Sequence, residues 1–234
     1  MSRRRWLGAG EGPEGFDEAF RVIRTSLTVA MQQLERPTVA ITSARAGEGK
    51  TLTAANLARS MASSGRHVVL VDLDLRHPDA HRHVGGHNEF GAADVLLDSR
   101  PLGDCLQYVE VGEGPQQSRA GMYLLSAGNG VSNPTELLGT RRTALLLETL
   151  VEQADVVLID TPPVLAVADT LVLGRMIGGA VLVVEARETP VTAVAQAKDA
   201  LIRSQTRLLG VVVNKFQARD AAVTYGLVPA AEMS

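Results

Sequence analysis

Ser43-Ala44-Arg45-Ala46-Gly47-Glu48-Gly49-Lys50-Thr51 lies between a β-branched run of strand length, Thr38-Val39-Ala40-Ile41-Thr42, and a helical pattern from Thr51 to Ser63. Strand, glycine loop and helix in that order form a cradle for phosphate. Glycines let backbone amides converge on an anion, and the helix N-terminus adds positive potential. A lysine at the loop's end reaches terminal phosphates, and the hydroxyl after it suits magnesium. The commonest form of the pattern has Gly at position 44, where this chain has Ala, so only Gly-x-Gly-Lys-Thr is retained. An incidental Gly-rich turn is the plainer alternative, and the flanking strand and helix argue against it.

Working outward, apolar runs of strand length alternate with helical patterns on both sides of this loop. Strands are expected at His67 to Val71, Met122 to Ser126, Asp155 to Ile159, Ala180 to Val184 and Leu208 to Val213. Helices are expected at Ala92 to Leu97, after Asn133-Pro134 with Glu136 three residues past the cap, at Val167 to Met176, and at Val191 to Arg203. Upstream, Phe16, Phe20, Ile23, Leu27, Ala30 and Leu34 recur at helical spacing and predict an amphipathic first helix. Runs such as Val68-Val69-Leu70-Val71 are apolar without alternation, which requires burial on both faces. The expected fold is therefore a single α/β domain with a mainly parallel central sheet covered by helices on both faces. Its bounds are read as 14–218, after a polar, flexible lead at 1–13 and before a C-terminal tail at 219–234.

Two further signals sit where apolar strands end. In Val69-Leu70-Val71-Asp72-Leu73-Asp74-Leu75-Arg76 the two carboxylates alternate, so they emerge together at the end of the sheet where ligands bind in open α/β folds. Asp72 and Asp74 are direct or water-mediated candidates for magnesium, which takes few protein carboxylates alongside phosphate and water. Solvated loop acids with Arg76 in a surface ion pair are the alternative. Val157-Leu158-Ile159-Asp160-Thr161-Pro162-Pro163 places a third acid, either a metal partner acting with Thr51 or a helix cap before the prolines.

Composition bounds the rest. Of 234 residues, 45% are hydrophobic, 21% charged and only 3% aromatic, with a formal net charge of -3. That balance disfavours nucleic acid, whose binders carry a basic excess and stacking side chains. The local basic run Arg3-Arg4-Arg5 beside Trp6 suits either an anionic membrane surface or a solvated end. Cys105 is the single cysteine, so no internal disulfide can form; a reducing, cytoplasmic setting is expected, and the thiol is read as inert. The most apolar stretch, Val164 to Val184, is broken by Asp169, Gly174, Arg175, Gly178 and Gly179, so no transmembrane segment is expected, and no signal peptide fits the N-terminus. His77, His81, His83 and His87 crowd one segment and suit either a zinc or nickel site or a polar loop.

With these elements in place the sequence resembles the bacterial tyrosine kinases of capsular and exopolysaccharide synthesis, over about residues 14–218. That family is a branch of the deviant P-loop ATPases related to partition and cell-division ATPases. It carries in order a Gly-x-Gly-Lys-Ser/Thr loop, an Asp-x-Asp-x-Arg strand end and an Asp-x-Pro-Pro strand end, matched here by Ser43 to Thr51, Val69 to Arg76 and Val157 to Pro163. Asn133 to Leu138, Asp169 and Asn214-Lys215 are softer matches, as is Glu-x-x-Arg-x-x-Arg on the first helix, met by Glu18, Arg21 and Arg24.

The resemblance implies ATP and Mg2+ as cofactors and phosphoryl transfer to tyrosine. Nucleotide contacts are then expected from Ser43, Ala44, Arg45, Ala46, Gly47, Glu48, Gly49, Lys50, Thr51, Leu52, Arg76, Asn214 and Lys215. It implies Thr51, Asp72 and Asp160 at the metal, and Lys50, Asp72, Asp74 and Asp160 in catalysis. It further implies homo-oligomerisation through Glu18, Arg21 and Arg24, and a membrane adaptor of a polysaccharide assembly system as partner, which would hold this span-free chain at the inner face of the membrane. The family ends in a tyrosine cluster, whereas after Lys215 this chain has Tyr225 alone, the expected phosphoacceptor. The alternative is a regulatory ATPase switch without protein-kinase activity.

Overall fold

A computed structural model of the chain describes residues 15–113, 119–216 and 227–229. The expected lead at 1–13, Arg3-Arg4-Arg5 and Tyr225 lie outside the described residues, as does most of the expected tail. The chain forms α1 (Phe16–Met31), β1 (Thr38–Ser43), α2 (Lys50–Ala62), β2 (Val68–Asp72), α3 (Ala80–Val84), α4 (Ala92–Leu96) and α5 (Leu102–Cys105). It continues through β3 (Leu106–Glu113), β4 (Arg119–Leu125), α6 (Pro134–Leu138), α7 (Arg141–Gln153), β5 (Val156–Asp160) and α8 (Asp169–Val172). β6 (Gly179–Glu185), α9 (Val191–Arg203), β7 (Leu208–Asn214) and β8 (Leu227–Pro229) complete it.

The sheet runs β3-β4-β2-β5-β1-β6-β7-β8, parallel from β4 to β7 with an antiparallel strand at each edge. The parallel core follows from the sequence. In β1, β2 and β5 every residue is buried, and neighbouring residues face opposite layers. Val39, Ile41, Leu70 and Leu158 pack with Leu27 of α1 and Leu57 of α2 on one face. Ala40, Val71, Ile159 and Leu182 pack with Leu147 of α7 and Ala197 of α9 on the other. After β1 the chain moves past β5's position to β2, while β6 lies on the opposite side of β1, so a crevice opens at the C-terminal ends of these strands. Asp72, Asp160 and the glycine loop all stand there.

Several expected elements differ. The antiparallel β3 was not expected; Tyr108 and Glu110 alternate with Val109 and Val111 at a solvent-exposed edge, but the alternation is short and ends at a bulge by Gly112. β4 begins at Arg119 rather than Met122, extended by this hairpin pairing. The helix expected over Val167 to Met176 shrinks to α8, because turns closed by Gly174 N–H to Leu171 O and Met176 N–H to Leu173 O bend the chain toward β6. Asn133 does not cap α6 with its side chain; its amide donates to Glu136 Oε2 at 3.3 Å. Within the expected tail, β8 pairs with β7. Among the described residues no helix is long and apolar enough to cross a membrane.

Candidate nucleotide site

The glycine loop keeps its shape through left-handed glycines and a braced carboxylate. Gly47 and Gly49 adopt φ of 87° and 93°, a region costly for any side chain. At Gly49 a Cβ would also meet Asn214 Nδ2 at 2.1 Å. That approach has a purpose, since Asn214 donates to the Glu48 carbonyl at 2.9 Å and so ties the loop to the end of β7. The Glu48 side chain is buried. It accepts the Arg45 N–H at 2.8 Å and the Thr189 hydroxyl at 2.5 Å, and Thr189 Oγ1 in turn accepts the Glu185 N–H at 2.8 Å. Ser43 Oγ donates to Arg45 O at 2.8 Å, closing the loop's other side. Arg45, Ala46 and Gly47 are exposed, Ala44 is buried, and Leu52 lies half-buried in the first turn of α2. Lys215 pairs with Glu185 at 2.5 Å beside this brace.

Lys50 stands among three acids at the ends of β2 and β5. Its ammonium is 2.8 Å from Asp74 Oδ2, 3.5 Å from Asp160 Oδ1 and 3.1 Å from its neighbour Thr51 Oγ1. Burial opposes the charge on Lys50, but Asp160 and Asp74 outweigh it and raise its pKa, so the lysine stays protonated. Asp72 is fully buried and accepts three backbone amides: Asp74 N–H on Oδ1, and Asp79 and Ala80 N–H on Oδ2, each at 3.1 Å. Burial, reinforced by the Asp160 charge, nevertheless pushes its pKa well above the carboxylate range. Asp74 accepts His77 N–H at 3.1 Å on the oxygen that Lys50 leaves free.

Asp160 differs from both. It is fully buried, and no donor reaches either carboxylate oxygen with hydrogen-bond geometry. Burial drives its pKa up to about 6, opposed by the Lys50 charge and by the nearby Thr51 hydroxyl. A buried carboxylate with two open oxygens beside a lysine and a hydroxyl fits a hydrated magnesium ion, which prefers an all-oxygen shell. Thr51 and Asp160 are the residues with the most capacity for it. Asp72 already carries three backbone amides and is the more committed acid.

The sequence-predicted residues thus divide. Ser43 to Leu52, Asp72, Asp74, Asp160, Asn214 and Lys215 converge on one crevice. Arg76 turns instead to Asp169, donating through Nε at 2.7 Å and Nη2 at 3.0 Å. On α1, Glu18 and Arg21 form an exposed pair at 3.1 Å, but Arg24 donates to Ser60 O of α2 at 2.7 Å. The four histidines give no metal centre: among the described residues no three His, Cys, Asp or Glu side chains are grouped to hold an ion. His83 pairs with Asp79 at 3.1 Å instead, and the His87 N–H is taken by Gln107. Cys105 is buried, and burial raises its pKa. Sequence reasoning missed Thr189, visible only as the residue before Pro190 at a helix start, and gave Thr135, which stands in the Asn133 to Leu138 match, no role of its own.

Comparison with known proteins follows the same lines. Residues 35–222 match the family described as ParA: NUBPL iron-transfer P-loop NTPase. The chain is 36% identical over 197 residues to tyrosine-protein kinase YwqD of Bacillus subtilis (strain 168), covering 84% of this chain and 80% of that protein. It is 33% identical to tyrosine-protein kinase etk of Escherichia coli (strain K12) over 84% of this chain, but spans only 26% of that longer protein. Among solved structures it superposes on the chimerical protein CapA2B2 with a TM-score of 0.81 at 30% identity, covering 90% of this chain and 89% of that one. The kinase domain of Escherichia coli tyrosine kinase ETK gives 0.76 at 31% identity over 90% and 80%. The cell division ATPase MinD of Pyrococcus furiosus, at 22% identity, a TM-score of 0.62 and coverage of 83% and 76%, shares the fold.

Proposed function

We propose that this chain, which belongs to the bacterial tyrosine-protein kinase family within the ParA-type P-loop NTPases, transfers the terminal phosphoryl group of ATP to tyrosine with Mg2+ as cofactor. The observation that carries the reading is the Lys50 ammonium held between Asp74 and Asp160 at the mouth of the glycine loop. Magnesium would neutralise charge on the transferring phosphate, held by Thr51 and Asp160. The loop amides and the N-terminus of α2 bind the phosphates, and Lys50 leaves Asp74 to meet them. Its departure frees an Asp74 oxygen, which then orients or deprotonates the incoming tyrosine hydroxyl, with Asp72 fixing the loop that carries it. Asn214 and Lys215 are the residues for the base side, with Arg45 near the nucleotide.

Incubation of the chain with labelled ATP and magnesium, with and without a tyrosine polymer, tests the assignment through phosphotyrosine. Lys50→Met is expected to abolish turnover while leaving the fold intact, and a folded variant with full turnover would remove the site. A regulatory ATPase switch remains the second reading. Its support is that Tyr108 and Tyr123, the tyrosines among the described residues, are held ring to ring across β3 and β4. ATP hydrolysis with no phosphotyrosine on either substrate decides for it.

The partner reading is a kinase working beside a membrane polysaccharide assembly system, self-associating through α1 and stimulated by a membrane adaptor's tail. Glu18 and Arg21 are exposed for such contacts, whereas Arg24 already joins α1 to α2.

A further inference from the structure

Three remote stretches meet at one buried carboxylate. Asp169, at the start of α8, is fully buried, and both of its oxygens are used: Arg76 Nε and Nη2 take one each, and the Thr135 hydroxyl of α6 donates to Oδ1. Arg76 Nη2 also reaches Thr135 Oγ1 at 3.0 Å, closing a triangle of side chains. The triangle joins the segment after β2 to the segment after β5 and to α6.

The segment it holds is the one that carries Asp74. Residues 73–80 are tied at their start by Leu73 N–H to Asp160 O at 2.8 Å, and at their end by Asp79 and Ala80 N–H on Asp72. Between these ties only a short turn separates Asp74 from Arg76, and His77 N–H folds back onto Asp74 Oδ1. Asp74 N–H on Asp72 Oδ1 and the buried side chains of Leu73 and Leu75 anchor this turn on one side. Holding the Asp74 carboxylate to a fraction of an ångström needs a fixed point on the other side as well. The Arg76 guanidinium, planar and bonded through two nitrogens to a buried carboxylate, supplies that fixed point.

We infer that Arg76, Asp169 and Thr135 act as a positioning clamp that sets Asp74 against Lys50, rather than as contacts to the nucleotide. The inference rests on the kinase or ATPase reading of the site, and names how its acid is placed. Nucleotide binding depends on the glycine loop and Asn214, which the clamp does not touch; catalytic turnover depends on where Asp74 sits. Loosening the clamp therefore lowers kcat and spares KM for ATP.

The test is a double-mutant cycle on the full chain: Arg76→Gln, Asp169→Asn and both together, with Thr135→Ser as the conservative variant. Each single variant is expected to lose about tenfold or more in kcat with KM for Mg-ATP within about threefold, and the double variant to lose no more than the worse single. Thr135→Ser retains the hydroxyl and turnover. The double variant also removes the buried unpaired Asp169 charge that Arg76→Gln alone leaves, so it stays folded if that single variant does not. Amide hydrogen exchange gives a readout free of activity. Residues 73–80 exchange faster in all three clamp variants while α7 and α9 keep their protection. Full kcat in Asp169→Asn, a rise in KM confined to Arg76→Gln, or unchanged exchange over 73–80 would each overturn the clamp. If the wild-type chain hydrolyses ATP without making phosphotyrosine, kinase transfer fails and the cycle is read in ATP turnover; if it does neither, exchange alone decides.

Discussion

Asp160 is a residue whose chemistry and stability pull in opposite directions. Its pKa rises on folding from 3.8 to about 6, so the native state binds the proton more tightly than the unfolded chain. Ionisation between those values therefore erodes stability, fully so above pH 6, and protonation restores it below. Asp160→Asn is expected to stabilise the nucleotide-free protein at pH 7.5 by about 1–3 kcal/mol, or about 2–10 °C in Tm, while removing magnesium-dependent turnover. The gap between variant and wild type closes as pH falls from 6 toward 4, and thermal melts across that range check it. An unshifted Tm at pH 7.5 would mean that the carboxylate is compensated in solution. Thr189 offers the complementary case. Thr189→Val strips the Glu48 carboxylate of a donor and the Glu185 N–H of its acceptor, at a cost of about 1–3 kcal/mol. Nucleotide affinity is expected to fall by about threefold to tenfold, and Thr189→Ser to retain it, as titration with a fluorescent ATP analogue would show.

Among the elements, the short helices owe their existence to docking rather than propensity. α4 has five residues, too few to hold alone, and it is pinned by Ala92 N–H to Ser126 O at 2.7 Å and Ala93 N–H to Ala127 O at 2.9 Å. This close approach needs Gly91, where a Cβ would lie 2.0 Å from Ser126 O. Gly91→Ala is expected to cost about 2 kcal/mol or more by urea unfolding, whereas Gly103→Ala, inside α5 with open space around it, is expected to stabilise by up to about 1 kcal/mol. Such helices are where sequence reading loses precision. α8 could not be bounded from Val167 to Met176, because its ends are set by turns leading into β6 and not by caps. Thr135, Arg76 and Asp169 were each visible as letters in a pattern, yet no spacing reveals that residues 59 and 93 positions from Arg76 share one contact.

At the scale of the whole molecule, the proposed assembly makes activity depend on concentration. Transfer between neighbours is favoured when a tether raises their local concentration, so the purified chain should turn over weakly and gain from an adaptor's tail. Arg21 is the cleaner probe of α1, since its exposed pair with Glu18 adds little stability. Arg21→Ala is expected to leave Tm within about 1 °C while reducing self-association by light scattering. Arg24→Ala confounds the two, because it also releases the bond to Ser60 that joins α1 to α2. Activity of a dilute monomer unchanged by any tail and by both substitutions would remove this mechanism.

The sequence alone determined the parallel core and the crevice. Uninterrupted apolar runs permit no solvent face, and a glycine loop between strand and helix, followed by acids at two strand ends, fixes where a phosphate can sit. What only the tertiary structure decided was how the charges are shared out. Asp72, Asp74 and Asp160 look alike as letters at strand ends, yet one accepts three backbone amides, one holds Lys50, and one is left with open oxygens. Arg76 and Arg24 likewise read as ligand or interface residues and are found bonded within the fold. The reason is physical: burial on both faces is a property of a local run, whereas a polar group's partner is chosen among whatever groups the packed chain brings within about 3 Å of it.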